Sequence, residues 1–114
     1  MSAVAAANLA LKFLLELVAL AAFAIWGAGV GSGVVSALVA ISAATAFAAL
    51  WGRFAAPKSA HRLGDAARVP FELGVFALAA VGLLEAASPA AAAIFAGLVV
   101  VNAVGLTVLR QWEH

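Results

Sequence analysis

From Leu17 to Gly52 the chain runs for 36 residues without a charged side chain, and from Ala86 to Leu109 for another 24. A bilayer hydrocarbon core of ~30 Å takes about 20 mostly apolar residues of helix to cross. The second run fits one span. The first is too long for one, and Gly27, Gly29, Gly31, Ser32 and Gly33 break it in two. The pattern predicts four helices, over residues 5–29, 34–54, 66–87 and 90–110. Asp65 is placed to N-cap the third, and Ser88-Pro89 opens the fourth with proline at its first helical position. Trp51 and Trp112 are expected near the membrane surface. A cleaved signal peptide needs a basic start before a short apolar core, yet nothing basic precedes Lys12. The first stretch therefore reads as a retained span.

Composition narrows the picture to one solvent. In a chain of 114 residues, a single domain by length, 68% are hydrophobic and 10% charged. A soluble domain has about 45–50% and about 25%, and so small a one could not cover its surface with so few charges. Disorder is excluded by the same hydrophobicity. A net charge of +1 is too near neutral for a nucleic-acid binder. With no cysteine there is no disulfide, thiolate metal site or thiol nucleophile. The expected architecture is all-α, an integral membrane four-helix bundle.

The position of the charges sets a direction. Lys12, Arg53, Lys58, Arg62, Arg68 and Arg110 all fall toward the side shared by the two termini and the Arg53–Arg68 connection. The turns at Gly31–Gly33 and Ala87–Pro89 have no basic residue. The positive-inside rule then puts both termini in the cytoplasm. Arg53, Lys58, Arg62 and Arg110 are expected to face lipid headgroups.

A repeat is suggested by the same charges. Lys12-Phe13-Leu14-Leu15-Glu16-Leu17 lies on Arg68-Val69-Pro70-Phe71-Glu72-Leu73 at an offset of 56, and at an offset of 57 Arg53 falls on Arg110 and Thr45 on Asn102. Two spans restore the direction of the chain, so the halves would be parallel two-helix units. In each half a base stands four residues before a glutamate, on one helix face and in salt-bridge reach. Glu16 and Glu72 are then one turn deeper than Lys12 and Arg68, ~6 Å by helical rise, and Thr45 and Asn102 ~12 Å in from Arg53 and Arg110. Charges in a bilayer are costly, so Lys12, Glu16, Arg68 and Glu72 should face the bundle interior in a four-member cluster with Thr45 and Asn102 nearby. Two readings stay open: the cluster neutralises itself and sets helix register, or it lines a shallow cavity for a proton, ion or headgroup.

The remaining polar residues carry less. Asn102 fits an interhelical hydrogen bond, Pro70 could kink the third helix beside Glu72, and Glu85 reads as solvated at the far surface. Gly27 and Gly31, at the first hairpin, stand at Gly-x-x-x-Gly spacing. His61 and His114 lack partner ligands at metal spacing. No phosphate loop, nucleophile set or paired-histidine motif occurs, so no catalytic residue, metal or cofactor is assigned.

Asn8 through Leu17, the block Leu50-Trp51-Gly52-Arg53-Phe54-Ala55-Ala56-Pro57-Lys58, the set Arg62-Leu63, Asp65, Arg68, Phe71-Glu72-Leu73, and Val101-Asn102-Ala103 together resemble the YrdB-like family of small bacterial four-span membrane proteins. That resemblance implies topology and a bacterial plasma membrane, and brings no activity. Size and span number are also similar to small multidrug-resistance transporters, whose first helix carries a glutamate where Glu16 stands. Lys12 one turn earlier and the lack of any tyrosine depart from that pattern. The expectation is a non-enzymatic protein whose Lys/Arg–Glu cluster holds the bundle and contacts anionic lipid; the alternative is a proton-coupled carrier, or a carrier subunit, using Glu16 or Glu72. Membrane lipids are the expected partners, with a homo-oligomer and a small-molecule ligand left open. Green fluorescent protein fused to either end should fluoresce and alkaline phosphatase fused there should stay inactive; the opposite at either end would refute this topology.

Overall fold

The computed structural model describes residues 2–56 and 58–112. Four helices follow in order: α1 (Ala3–Ala28), α2 (Gly33–Phe54), α3 (Asp65–Ala86) and α4 (Pro89–Val108). Among the described residues there is no strand, and each helix is long and apolar enough to cross a membrane. The expected boundaries hold to within about two residues. His114 and Pro57, which the sequence argument used, lie outside the described residues.

The caps follow from local chemistry. Ser2 and Ser88 accept hydrogen bonds from the amides of Ala5 and Ala91, at 3.1 and 3.0 Å, each satisfying one of the donors a helix start leaves over. Asp65 is not the N-cap of α3 but its first residue; Gly64 takes the cap position. The acidic side chain still suits the positive end of the helix dipole. The first hairpin turns at Gly33, whose φ of +59° is costly for any residue with a Cβ. Pro70 lies inside α3, which runs through it from Asp65 to Ala86; its missing donor is confined to the second turn.

Packing is uneven. α1 touches all three other helices, α3 packs on both α1 and α4, and α2 rests chiefly on α1. The α1–α3 seam is built of small residues, with Ala19, Ala22, Ala79 and Gly82 buried, which lets two backbones approach closely. The α1–α2 contact is closer still. A Cβ on Gly27 would stand 2.8 Å from the Val39 carbonyl oxygen and 2.9 Å from the Ala40 Cα. The Gly27–Gly31 pair therefore serves packing within the chain. Ser36 adds a 2.5 Å hydrogen bond from its hydroxyl to the Ala28 carbonyl.

Aromatic rings bridge α2 to its neighbours. Phe47 meets Phe23 of α1 edge-on at 5.3 Å, and Trp51 lies 5.3 Å from Phe76 and 6.2 Å from Phe71, both on α3. Trp51 is thus a half-buried packing residue as well as one near a helix end. Phe47 is the one buried residue of α2; Val34 is 75% exposed and Ile41 64%. Val108, Ile94 and Val100 project outward in the same way from α4. Such an apolar exterior around a small-residue interior is a fold turned toward hydrocarbon. Gly27→Leu should destabilise the bundle by about 1–3 kcal/mol, the usual cost of overpacking, seen as a lower melting temperature in detergent. The same change at exposed Gly97, whose Cβ direction is open, should leave it nearly unmoved.

Candidate functional site

The four-residue spacing of Arg68 and Glu72 puts them on one face of α3, and Lys12 reaches the same point from α1. Glu72 is 1% exposed. Its Oε1 lies 2.8 Å from the Lys12 ammonium and its Oε2 3.4 Å from the Arg68 Nε. All three side chains are buried. The carboxylate is held by two cations as an ion triad, without a well-aligned hydrogen bond to either oxygen among the described residues.

Arg68 spends the rest of its fork on the chain around it. Nη1 donates to the Leu63 carbonyl at 3.0 Å, and Nη2 to Asp65 Oδ1 at 2.7 Å and to the Trp112 carbonyl. One guanidinium therefore joins α3, the end of the α2–α3 connection and the segment after α4. A planar, fixed fork suits such a task better than a single ammonium. The Trp112 indole lies over Lys12, 5.8 Å from ammonium to ring centroid, and donates its N–H to the Thr107 hydroxyl at 3.0 Å. The chain end so closes the triad from outside.

A second polar set lies beside it. Asn102 is buried on α4 and its amide donates to both the backbone carbonyl and the side-chain oxygen of Asn8, at 2.9 Å each. Asn8 donates to Gln111 at 3.0 Å, and Gln111 to the Ala5 carbonyl at 2.9 Å. These carboxamides clamp α1 to α4. Gly105 makes the room: a Cβ there would fall 2.7 Å from the Asn8 amide nitrogen.

The expected four-member cluster is corrected in two ways. Of the pairings open to the cluster, within or across helices, Lys12 takes the one across, to Glu72; Glu16 stands at the edge of the cluster, half-buried and turned toward Trp51. Thr45 is exposed on α2, away from the cluster, because α2 presents its aromatic face to the bundle and Thr45 lies outside that face. The sequence repeat is accordingly not matched in environment: Glu16 and Glu72, and likewise Thr45 and Asn102, stand in different surroundings. Arg53, Lys58 and Arg110 are exposed. Arg62 is partly withdrawn, donating from Nε to the Ala55 carbonyl at 3.1 Å, with one buried nitrogen left over. At the far end Glu85, expected only to be solvated, is exposed and also accepts from the Trp26 indole at 3.0 Å. Gln111 and Trp112 were also missed as site residues. They follow the last helix, where no periodicity marks them.

Chemically the triad is a closed, charge-compensated group with no nucleophile in contact. Glu16 borders an open cleft of about 400 Å³ with Leu9, Phe13, Trp51 and Ala55, and Lys12 of the triad lies on the wall of the same cleft. A model of the family described as "Protein of unknown function (DUF2568)" matches residues 10–100, which include both the triad and Glu16. No curated protein and no solved structure matches the chain. Glu72→Ala leaves two cations buried without their anion and should cost about 3–5 kcal/mol. Glu85→Ala should cost below about 1 kcal/mol, a contrast that thermal unfolding in one detergent resolves.

Proposed function

The chain belongs to the DUF2568 family of unknown function, and we propose that it is a YrdB-like, non-enzymatic protein of a bacterial plasma membrane, with both termini in the cytoplasm. In this reading the Lys12–Glu72–Arg68 triad is a lock that holds the cytoplasmic end of the bundle. The exposed Arg53, Lys58 and Arg110 form a basic rim for anionic headgroups. The observation that carries it is the burial of Glu72 between two cations. A carboxylate so enclosed ties α1 to α3, and Arg68 extends the tie to the segment after α4. Each rim base near an anionic surface contributes about 1 kcal/mol to attraction, so the rim would fix tilt and depth rather than bind one molecule tightly.

A second reading has one observation in its favour. Glu16, unlike Glu72, borders an open cleft, which suits a proton-coupled carrier that titrates there. It predicts pH-dependent uptake into proteoliposomes that Glu16→Gln abolishes while folding normally; flux unaffected by that change would remove it.

The lock is tested by reversing its charge pair. Lys12→Glu and Glu72→Lys should each lower the melting temperature, and the double variant should restore part of the loss, because the two side chains face each other at 2.8 Å. Single variants as stable as the parent, or a double variant no better than the worse single, would count against a structural role.

A further inference from the structure

The triad leaves one carboxylate out. Glu16 follows Lys12 by one turn, feels its charge and accepts a hydrogen bond from Trp51, yet the close contact of Lys12, at 2.8 Å, is with Glu72. Its two flanking clefts share Phe13, Glu16 and Trp51. One, of about 400 Å³, opens at the end of the bundle beside Leu9 and Ala56. The other, of about 230 Å³, continues along the α1–α2 seam past Leu17, Leu20 and Ala48. Together they form a groove with a carboxylate at its mouth and hydrocarbon along its length. Leu17 and Ala48 are exposed, so the apolar part opens sideways to the surroundings of the bundle. Gly52 keeps it wide, since a Cβ there would meet nothing within 4 Å.

We propose that this groove holds one aminophospholipid, with its primary ammonium on Glu16 and an acyl chain along Leu17, Leu20 and Ala48. The inference rests on the membrane-spanning reading but not on the role of the triad. A carboxylate at this depth requires a compensating charge, and Lys12 is engaged across the bundle. An ammonium supplies both the charge and hydrogen-bond donors. The rings of Phe13 and Trp51 flank the same point, and aromatic faces attract cations. The open apolar length distinguishes a lipid from a free amine, which would leave that length empty. An anionic lipid without an amine brings no counter-charge to the carboxylate, and the Lys12 ammonium on the same wall is already paired with Glu72.

The full chain, purified in detergent and delipidated, is offered equal amounts of phosphatidylethanolamine, phosphatidylcholine and phosphatidylglycerol, and bound lipid is counted by native mass spectrometry. Phosphatidylethanolamine should be retained in preference to both others, at one per chain. Glu16→Gln should lower that retention at least roughly tenfold, the worth of one charge-assisted hydrogen bond. Ala48→Trp, on an exposed position that leaves the carboxylate in place, should lower it as much by filling the apolar length. Both variants are compared at equal helicity and equal melting temperature without lipid; should Glu16→Gln not fold, Ala48→Trp decides. Equal retention of the three lipids by the parent, or parental retention by a folded variant, overturns the assignment. So does displacement of the lipid by an equal concentration of ethanolamine, which would make the groove an amine site. The Glu72 variant, whose residue borders neither cleft, separates this measurement from the lock; Lys12 lines the larger cleft, so its variants are not used for that purpose.

Discussion

A carboxylate carried into a medium that cannot hydrate it must bring counter-charges with it, and Glu72 does so from two directions. Lys12 reaches it from α1 and Arg68 from the preceding turn of α3. Neither cation could be buried alone, since an unpaired charge in a low-dielectric interior costs far more than a packing defect. The three must therefore meet, and α1 and α3 are held in register by that requirement. The rest of that end follows. Arg68 has donors to spare, so the residues before α3 and after α4 fold onto it through Leu63 and Trp112. The carboxamides of Asn8, Asn102 and Gln111 then secure α4 to α1.

Deeper in the bundle the adhesive changes. There is no hydrophobic drive between helices surrounded by lipid chains, so close packing has to supply it. Ala19, Ala22, Ala79 and Gly82 make the α1–α3 seam tight, and Gly27 does the same against α2. The bundle is thus polar-bonded at one end and contact-packed along its length. α2 is secured mainly by the second mechanism, through Gly27, Phe47 and Trp51, with one hydrogen bond from Ser36 to α1 and few side chains turned inward. The close approach is at Gly27; nearer Glu16 the α1–α2 seam leaves a groove, so the surroundings of Glu16 differ from those of Glu72.

The spans were legible because two long charge-free runs and a cluster of glycines admit only one division into helices of bilayer length. That each glutamate stands one helical turn from its base was legible too, since four-residue spacing fixes it. Partner choice was not. Four-residue spacing allows Lys12 to meet Glu16 on its own helix, and nothing local disfavours that pair. Only the packing of α1 on α3 offers Lys12 a second, fully buried carboxylate, where the same attraction is less screened. Gln111 and Trp112 escaped for a related reason: they lie past a helix end, where position is set by what the chain folds back upon. Thr45 looked equivalent to Asn102 by alignment of the halves, yet Thr45 is exposed and Asn102 buried.

By itself, then, the sequence determined the solvent, the number and limits of the spans and the face on which charges gather, because these depend on length, composition and helical period. The tertiary structure decided which charges neutralise one another, which carboxylate is sealed and which stands at a groove. Those outcomes depend on the relative rotation of helices distant along the chain, and local periodicity has no information about that.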